Sequence, residues 1–325
     1  MNLIGFRTLK TAIGATLAII IAKEIGLEYA VSAGIITILS VQGTKKQSIK
    51  IALQRVASFI LALIIATVLF NILGYNEIAF GMFILLFIPA AVRFNLKEGI
   101  VVSSVLITHL LSQKTVNLYW IINELGLMFV GVGAALILNL YMPSIDKKIK
   151  EDQQEIERIM SEIFINMANA LKSQQVSIEE EKLFTGLLDR IRDGKSRAYN
   201  NFNNYLFYDA SYYVEYMEMR LRQFKVMKRM RSHFRRFSIA YDQTLMVARF
   251  TEEMSLYIYE ENTADNCLCD ITTLREDLKN TNLPATREEF ENRAMLYQFL
   301  NDLEEFIEIK REFKRNVAKD VSQSI

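Results

Sequence analysis

The sequence is poor in residues that break helices and in residues that carry most catalysis. Its 325 residues include three prolines, two cysteines, two histidines and one tryptophan. So few prolines let long helices run without interruption. The chain has only two histidines and no Gly-x-Ser-x-Gly segment, so its sequence gives no sign of a serine hydrolase triad. We therefore expect that the protein is not an enzyme.

The cysteines and the one phosphate-loop-like string do not point to a metal or a nucleotide. Cys267 and Cys269 stand two apart with no histidine nearby, so they cannot complete a tetrahedral zinc site. The string Gly194-Lys195-Ser196 imitates the end of a P-loop, but Asp189 stands where the first glycine belongs. We predict reduced thiols, no metal, no cofactor and no ATP site, so any pumping must use an ion gradient or a partner.

The most prominent feature of the sequence is a set of long apolar stretches. Six of them occupy the first 142 residues, and the remainder contains none. A spanning helix needs about 20 apolar residues, so the second, fourth and fifth stretches are short. The pattern predicts an all-α protein with a six-span transmembrane domain over residues 1–143 and a soluble helical domain over 144–325. The stretches cover approximately residues 8–22, 29–41, 51–73, 78–92, 99–111 and 119–142.

Charge is divided unevenly between the two parts. Residues 1–150 hold 13 Lys and Arg against 6 Asp and Glu, whereas the remainder holds 25 against 31. Alternate connections between the apolar stretches hold most of the positive charge, and the others hold only Lys23 and Lys114. Positive residues favour the cytoplasmic side. We therefore predict a multi-pass inner-membrane protein with both termini in the cytoplasm. The positive connections carry Arg7, Lys10, Lys45, Lys46, Lys50, Arg93, Lys97, Lys147, Lys148 and Lys150.

Small residues recur at four-residue spacing within the apolar stretches. Such rows let helices approach closely in lipid, either within one chain or between subunits. Short segments two and five occupy the middle of two three-span halves, where broken helices often mark a binding site. The rows are Gly14, Ala18 and Ala22; Ser58, Ala62 and Ala66; and Gly131 and Ala135.

Ionisable residues at membrane depth are costly and often functional. Arg55, Arg93 and Lys97 are candidates for binding an anionic substrate. The alternatives are that Arg55 reaches towards the membrane surface and that the other two only anchor the cytoplasmic turn. His109 and Glu124 are candidates for carrying a proton, since an imidazole can change its charge near neutral pH. The alternatives are a packing histidine and a carboxylate in the outer interface.

The second part of the chain shows helical signals almost throughout. Ser177–Glu180 and Thr286–Glu289 have the pattern of capping boxes at helix starts. Apolar residues follow the three-to-four spacing of one helix face over 156–171 and again over 296–307. These signals predict an antiparallel bundle of four to six helices.

A basic run in this part follows a cluster of tyrosines. It could lie against anionic lipid headgroups or another anion, bind nucleic acid, or form a solvated face paired with acidic residues. We expect no nucleic-acid partner, because this part of the chain is net acidic. The run contains Lys225, Lys228, Arg229, Arg231, Arg235 and Arg236.

Three segments of the apolar part carry a family resemblance: Arg7-Thr-Leu-Lys-Thr-Ala-Ile-Gly-Ala-Thr-Leu17, Ile36-Thr-Ile-Leu-Ser-Val-Gln42 and Ala52-Leu-Gln-Arg55. They resemble the aromatic acid exporter family, within the fusaric acid resistance type of membrane proteins. Gly43 replaces a proline common in that family, and Ser58 and Ala62 stand where glycines are common. The resemblance implies six spans, a cytoplasmic helical domain and export of aromatic carboxylates, and Arg55 is the one polar residue whose position matches the family pattern.

Together these observations predict an exporter of small organic anions in the lipid bilayer, driven by an ion gradient. A membrane domain this small favours a homo-oligomer. Two other classes stay open at this point: a membrane-anchored sensor or scaffold whose helical bundle binds a partner, and a passive anion channel.

Overall fold

The computed structural model describes residues 6–141, 145–173, 180–205, 211–233 and 242–323. All regular structure within these ranges is helical, which confirms the predicted all-α class. The chain divides into two compact units, residues 1–143 with 203–208 and residues 144–202 with 209–325. We call the first the apolar unit and the second the charged unit.

The apolar unit contains six α-helices in its described part. Each of the six apolar stretches forms one of them, and the short second and fifth stretches form helices of 10 and 14 residues. Asn76 and Asn117 cap two helix starts by accepting hydrogen bonds from the backbone N–H groups of Ala79 and Trp120. The helices are α1 (Phe6–Glu24), α2 (Val31–Ser40), α3 (Lys45–Leu73), α4 (Glu77–Arg93), α5 (Ile100–Gln113) and α6 (Leu118–Leu140), with a 3-10 turn at Lys97–Gly99.

Most of the exposed apolar surface belongs to this unit. Among the described residues, 33 large exposed apolar side chains lie on it, against eight on the charged unit. A soluble surface does not gather apolar side chains in this way, whereas a lipid-facing surface requires them. Two of the described helices, α3 and α6, are each long and apolar enough to cross a bilayer by themselves.

The rows of small residues are buried within the single chain. Ala18, Ala22, Ala62 and Ala66 are fully buried. The closest approach to another helix backbone is at Gly131 of α6, where an added Cβ would lie 2.7 Å from the Ala33 carbonyl oxygen and 2.6 Å from Ile36 Cβ. The rows therefore serve helix packing inside the apolar unit.

Substitution of Gly131 by valine should push α2 away from α6. We expect the free energy of unfolding to fall by about 1–3 kcal/mol, because the nearest atoms are backbone and a β-branched side chain that cannot turn away. Thermal unfolding in detergent measures this loss. Gly133→Val is the matched control, since an added Cβ at Gly133 meets nothing within 4 Å. Equal stability of the two variants would contradict the packing.

The charged unit contains six further α-helices in its described residues. The predicted apolar faces over 156–171 and 296–307 are buried in its core. Thr286 caps α12 as predicted, because its hydroxyl accepts a hydrogen bond from the Glu289 N–H. The other predicted capping box includes residues 177–179, which lie outside the described residues. The helices are α7 (Asp146–Ser173), α8 (Glu180–Phe202), α9 (Tyr212–His233), α10 (Asp242–Met254), α11 (Asp265–Lys279) and α12 (Arg287–Gln323).

Candidate functional site

A histidine and a carboxylate meet inside the apolar unit. Glu124 of α6 is fully buried, and its Oε2 lies 2.8 Å from Nδ1 of His109 in α5. Only 8% of His109 is exposed. The structure thus brings the two proton-carrier candidates into direct contact, although they are 15 positions apart in the sequence.

Three neighbours hold this pair in place. The Asn123 side-chain amide donates to Oε1 of Glu124 at 3.1 Å. The Ser32 hydroxyl lies 3.2 Å from Nε2 of His109. The Tyr29 ring stacks on the imidazole, with centroids 4.2 Å apart and planes 7° from parallel. Both imidazole nitrogens and both carboxylate oxygens therefore have polar partners.

The connection between α1 and α2 supplies one of these contacts, Tyr29, and is itself fixed next to the pair. The Asn123 Oδ1 accepts from the Glu28 N–H at 2.8 Å, and its amide donates to the Glu28 carbonyl at 3.3 Å. Gln113 donates to the Tyr29 hydroxyl at 2.8 Å. Tyr29 has a φ of 56°, a left-handed conformation that few non-glycine residues adopt. The connection is thus held across the ends of α5 and α6.

The contacts of the pair allow two hydrogen-bonded states that differ by one proton. With Glu124 ionised, its carboxylate only accepts hydrogen bonds, so a neutral His109 would carry its hydrogen on Nδ1 and accept from Ser32 at Nε2. In that state the pair has a charge of −1. When the imidazole takes up a second proton, Nε2 becomes a donor to Ser32 and the pair becomes neutral overall. The Ser32 hydroxyl can serve both states, because a hydroxyl both donates and accepts.

Arg55 of α3 binds the C-terminal end of α2. Its Nη2 donates to the Leu39 carbonyl at 2.7 Å, and its Nη1 donates to the Ile36 carbonyl at 3.2 Å and to the Ser40 hydroxyl. The last carbonyls of a helix lack partners within it and carry partial negative charge. Arg55 is 3% exposed, and both its terminal nitrogens donate hydrogen bonds in this conformation.

The other two anion-binding candidates lie on the surface near this position. Arg93 is the last residue of α4 and Lys97 begins the 3-10 turn, and both are exposed. A Cβ added to Gly99 of this turn would lie 2.2 Å from the Ser58 Cβ and 3.2 Å from the Arg55 Cα. The turn that carries Lys97 therefore packs on the segment of α3 that carries Arg55.

Helix α2 joins the two polar regions. Ser32, its second residue, contacts His109, while its last turn accepts hydrogen bonds from Arg55. At 1.5 Å per residue, the two contacts are about 12 Å apart along the helix. A displacement of α2 along its axis would thus change both contacts together.

The basic run of the charged unit is partly ion-paired. Arg229 donates to Asp302 at 2.7 Å and contacts Glu305, and Arg231 contacts Glu181 and lies 5.2 Å over the Phe184 ring. Lys225 and Lys228 are exposed. Arg235 and Arg236 lie outside the described residues. A lipid or anion surface made by this run stays a prediction.

The P-loop-like string has helical geometry. Gly194-Lys195-Ser196 lies inside α8, and Lys195 pairs with Glu218 at 3.1 Å. A P-loop needs a strand, a glycine-rich loop and a helix start, so this segment does not form one. Within the described ranges, no group of three or more His, Cys, Asp or Glu is placed to hold a metal ion.

A second buried charge network lies in the charged unit. Arg220 is 1% exposed and donates to Glu157 at 2.7 Å and to the Tyr216 hydroxyl at 2.8 Å. Lys310 lies beside them, 4% exposed, and donates to the Glu260 carbonyl at 2.9 Å. Burial, together with the nearby charges of Arg220 and Lys314, lowers the pKa of Lys310 to about 7, although the charges of Glu157 and Glu260 oppose this effect.

This lowered pKa predicts how stability depends on pH. A lysine in the unfolded chain keeps a pKa of about 10.4, so above pH 7 the unfolded chain binds more protons than the folded one. The free energy of unfolding should therefore rise between about pH 7 and 9. Urea unfolding followed by circular dichroism measures the rise, which Lys310→Met should reduce and the exposed control Lys225→Met should not. Equal slopes in wild type and Lys310→Met would contradict the prediction.

Comparisons with known proteins match both units. A family model described as aromatic acid exporter family member 1 matches residues 2–142, and one described as an aromatic acid exporter C-terminal domain matches residues 146–311. The uncharacterised protein YqjA of Bacillus subtilis (strain 168) is 36% identical over 311 residues, which cover 96% of each chain. UPF0421 protein YgaE of the same strain is 27% identical over 184 residues, which cover 55% of this chain and 52% of that protein.

Among solved structures, the chain is similar to a Clostridium difficile 630 protein described as a membrane protein. The match has 24% identity and a TM-score of 0.47, and it covers 52% of this chain and 98% of that one. The family rests on the sequence matches, which together cover nearly the whole length. The chain therefore belongs to the aromatic acid exporter family.

Proposed function

We propose that the protein exports small organic anions, in particular aromatic carboxylates, from the cytoplasm across the inner membrane, and that proton entry drives the export. Family membership supports export. The observation that carries the coupling is the buried pair of His109 and Glu124, in contact at 2.8 Å within the apolar unit. Burying a titratable pair in a membrane domain costs stability, so such a pair usually has a function.

The proposed topology has all six helices of the apolar unit in the membrane, with both termini in the cytoplasm. The exposed apolar side chains of these helices support a lipid-facing surface. Helix α2 would be about 15 Å long and therefore cannot cross a bilayer core of about 30 Å alone. Its polar contacts at both ends fit a short segment enclosed by longer helices. In this topology, which the positive connections support, Arg55 would lie near the cytoplasmic side and the His109–Glu124 pair nearer the outer side.

The substrate would enter from the cytoplasmic side. Arg93 and Lys97 are exposed cations that attract a carboxylate to this end of the apolar unit. Arg55 lies behind them, and a carboxylate can replace the helix carbonyls as a bidentate partner of its guanidinium. That exchange would release the last turn of α2, whose first turn contacts His109 through Ser32. In this scheme α2 links anion binding to proton binding.

A homo-oligomer belongs to this proposal, since an apolar unit of about 140 residues is small for a carrier. The rows of small residues are already used within the chain, so a subunit contact would use other residues. Mass measurement in nanodiscs of native lipid tests this point. A monomer under those conditions would contradict it.

Efflux from cells tests the function. Cells with and without the protein are loaded with radiolabelled 4-hydroxybenzoate, and its loss is followed with and without a protonophore. We expect faster efflux with the protein, and we expect the protonophore to abolish the difference. Faster efflux that survives the protonophore would indicate an anion channel. No difference across a panel of aromatic acids would contradict export and favour a sensor or scaffold.

A further inference from the structure

The charged unit contains a cavity between α10, α11 and α12. Its volume is about 170 Å³. Leu278 of α11 and Leu296 and Leu300 of α12 form its apolar wall, and the half-exposed Tyr297 ring adds an aromatic side. An apolar cavity of about 150 Å³ is large enough to bind benzene. The cavity can therefore hold one six-membered aromatic ring.

Cationic side chains line the same cavity. Arg275 and Lys279 approach from α11 and Arg293 from α12, and no acidic residue is among its described lining. The Arg275 guanidinium lies 5.1 Å from the centroid of the Tyr297 ring. A ring-sized apolar wall with cations beside it is the arrangement that a planar aromatic anion requires.

Both guanidiniums are held in position yet retain unused donors. Arg275 donates through Nη2 to Asn301 and Glu304, each at 2.7 Å. Arg293 donates through Nη1 to the Asn282 carbonyl and through Nη2 to Glu289. The Nε–H of each arginine is buried without a hydrogen-bond partner in the described part of the chain. A guanidinium has five N–H donors, so each arginine can donate a hydrogen bond to a further anionic partner.

We propose that this cavity binds a small aromatic carboxylate. The ring would lie against Leu278, Leu296 and Tyr297, and the carboxylate would accept hydrogen bonds from Arg275 and Arg293. The ligand class follows from the cavity itself. That the ligand is also the exported cargo, so that the charged unit senses the substrate, rests on the proposed function.

Photolabelling of the purified full-length protein locates the binding. The probe is 4-azidobenzoate, and the label is mapped by peptide mass spectrometry. We expect label within residues 275–300, which excess benzoate prevents and excess benzyl alcohol does not, because the alcohol lacks the charge. Arg293→Gln should reduce this label about tenfold, through loss of a charged hydrogen bond. Tyr297→Ala should also reduce it, and since Tyr297 is 53% exposed this change does not open the core.

Two controls separate this site from the membrane site. Arg287 lies in the same helix but outside the cavity, and its side chain is 90% exposed. The Arg287→Gln variant should therefore be labelled as strongly as the wild type. The Glu124→Gln variant should also be labelled fully within residues 275–300, even if it no longer exports substrate. Absence of label from residues 275–300, or equal labelling in Arg293→Gln, Tyr297→Ala and wild type, would overturn the proposal and leave the export function untouched.

Discussion

Replacement of Glu124 by glutamine is expected to reduce protonophore-sensitive efflux to the rate of cells that lack the protein. Glutamine keeps the size of the side chain, and with its carbonyl oxygen towards His109 it can still accept a hydrogen bond from Nδ1, although its amide NH2 cannot accept the bond that Asn123 donates now. What it removes is the negative charge that stabilises a protonated imidazole 2.8 Å away. Without that charge, uptake of a proton by His109 would place an isolated cation among buried groups, which is costly.

The matched control is Thr108→Val in the same helix. Thr108 is adjacent to His109, but its hydroxyl donates only to the Val105 carbonyl of its own helix. Valine has nearly the same shape, so this variant should retain export. Purified Glu124→Gln should also unfold at a temperature close to that of wild type. Full proton-coupled efflux by a folded Glu124→Gln protein would contradict the role of the pair.

Replacement of Arg55 by leucine is expected to destabilise the apolar unit. The change leaves the Leu39 carbonyl without the donor that it has now, whereas the Ile36 carbonyl still accepts from the Ser40 hydroxyl. An unsatisfied buried acceptor costs roughly 1–3 kcal/mol, so we expect the free energy of unfolding to fall by about 1–3 kcal/mol. Thermal unfolding in detergent measures it, and the last turn of α2 should lose its protection from hydrogen exchange first.

Two other variants make this prediction specific. Arg55→Lys keeps the charge but not the planar fork that reaches both sides of the helix end, so it should recover only part of the stability. Arg93→Leu removes an exposed arginine near Arg55 in the apolar unit and should leave the unfolding temperature nearly unchanged. If Arg55→Leu keeps wild-type stability but loses export, Arg55 contacts substrate without holding α2, and the proposed link through α2 is wrong.

The helices could be predicted from the sequence because their signals are local. Apolar length located α1 to α6, and the spacing of apolar residues located the buried faces of α7 and α12. The start of α3 lies six residues before the apolar stretch that predicts it, because all but Ile49 of residues 45–50 are polar. Hydropathy does not detect a helix that continues into polar sequence. Cap residues such as Thr286 carry that information instead.

The contacts within the candidate site could not be predicted, because they join residues that are distant in the sequence. His109 and Glu124 were identified separately by their cost at membrane depth, but nothing in the sequence pairs them. Ser32 and Asn123 gave no signal, since a single small polar residue in an apolar helix is common. Arg55 was selected as a substrate contact, and only the structure shows that it binds the end of α2.

Substrate-driven proton movement in proteoliposomes tests the central claim most directly. Purified protein is reconstituted with a pH-sensitive dye inside the vesicles, and a gradient of 4-hydroxybenzoate is imposed without any pH difference. We predict that substrate leaving through the wild-type protein drives protons in the opposite direction, and that Glu124→Gln and His109→Gln show no such movement. Substrate flux without proton movement in the wild type, or equal proton movement in Glu124→Gln, would contradict proton coupling through this pair.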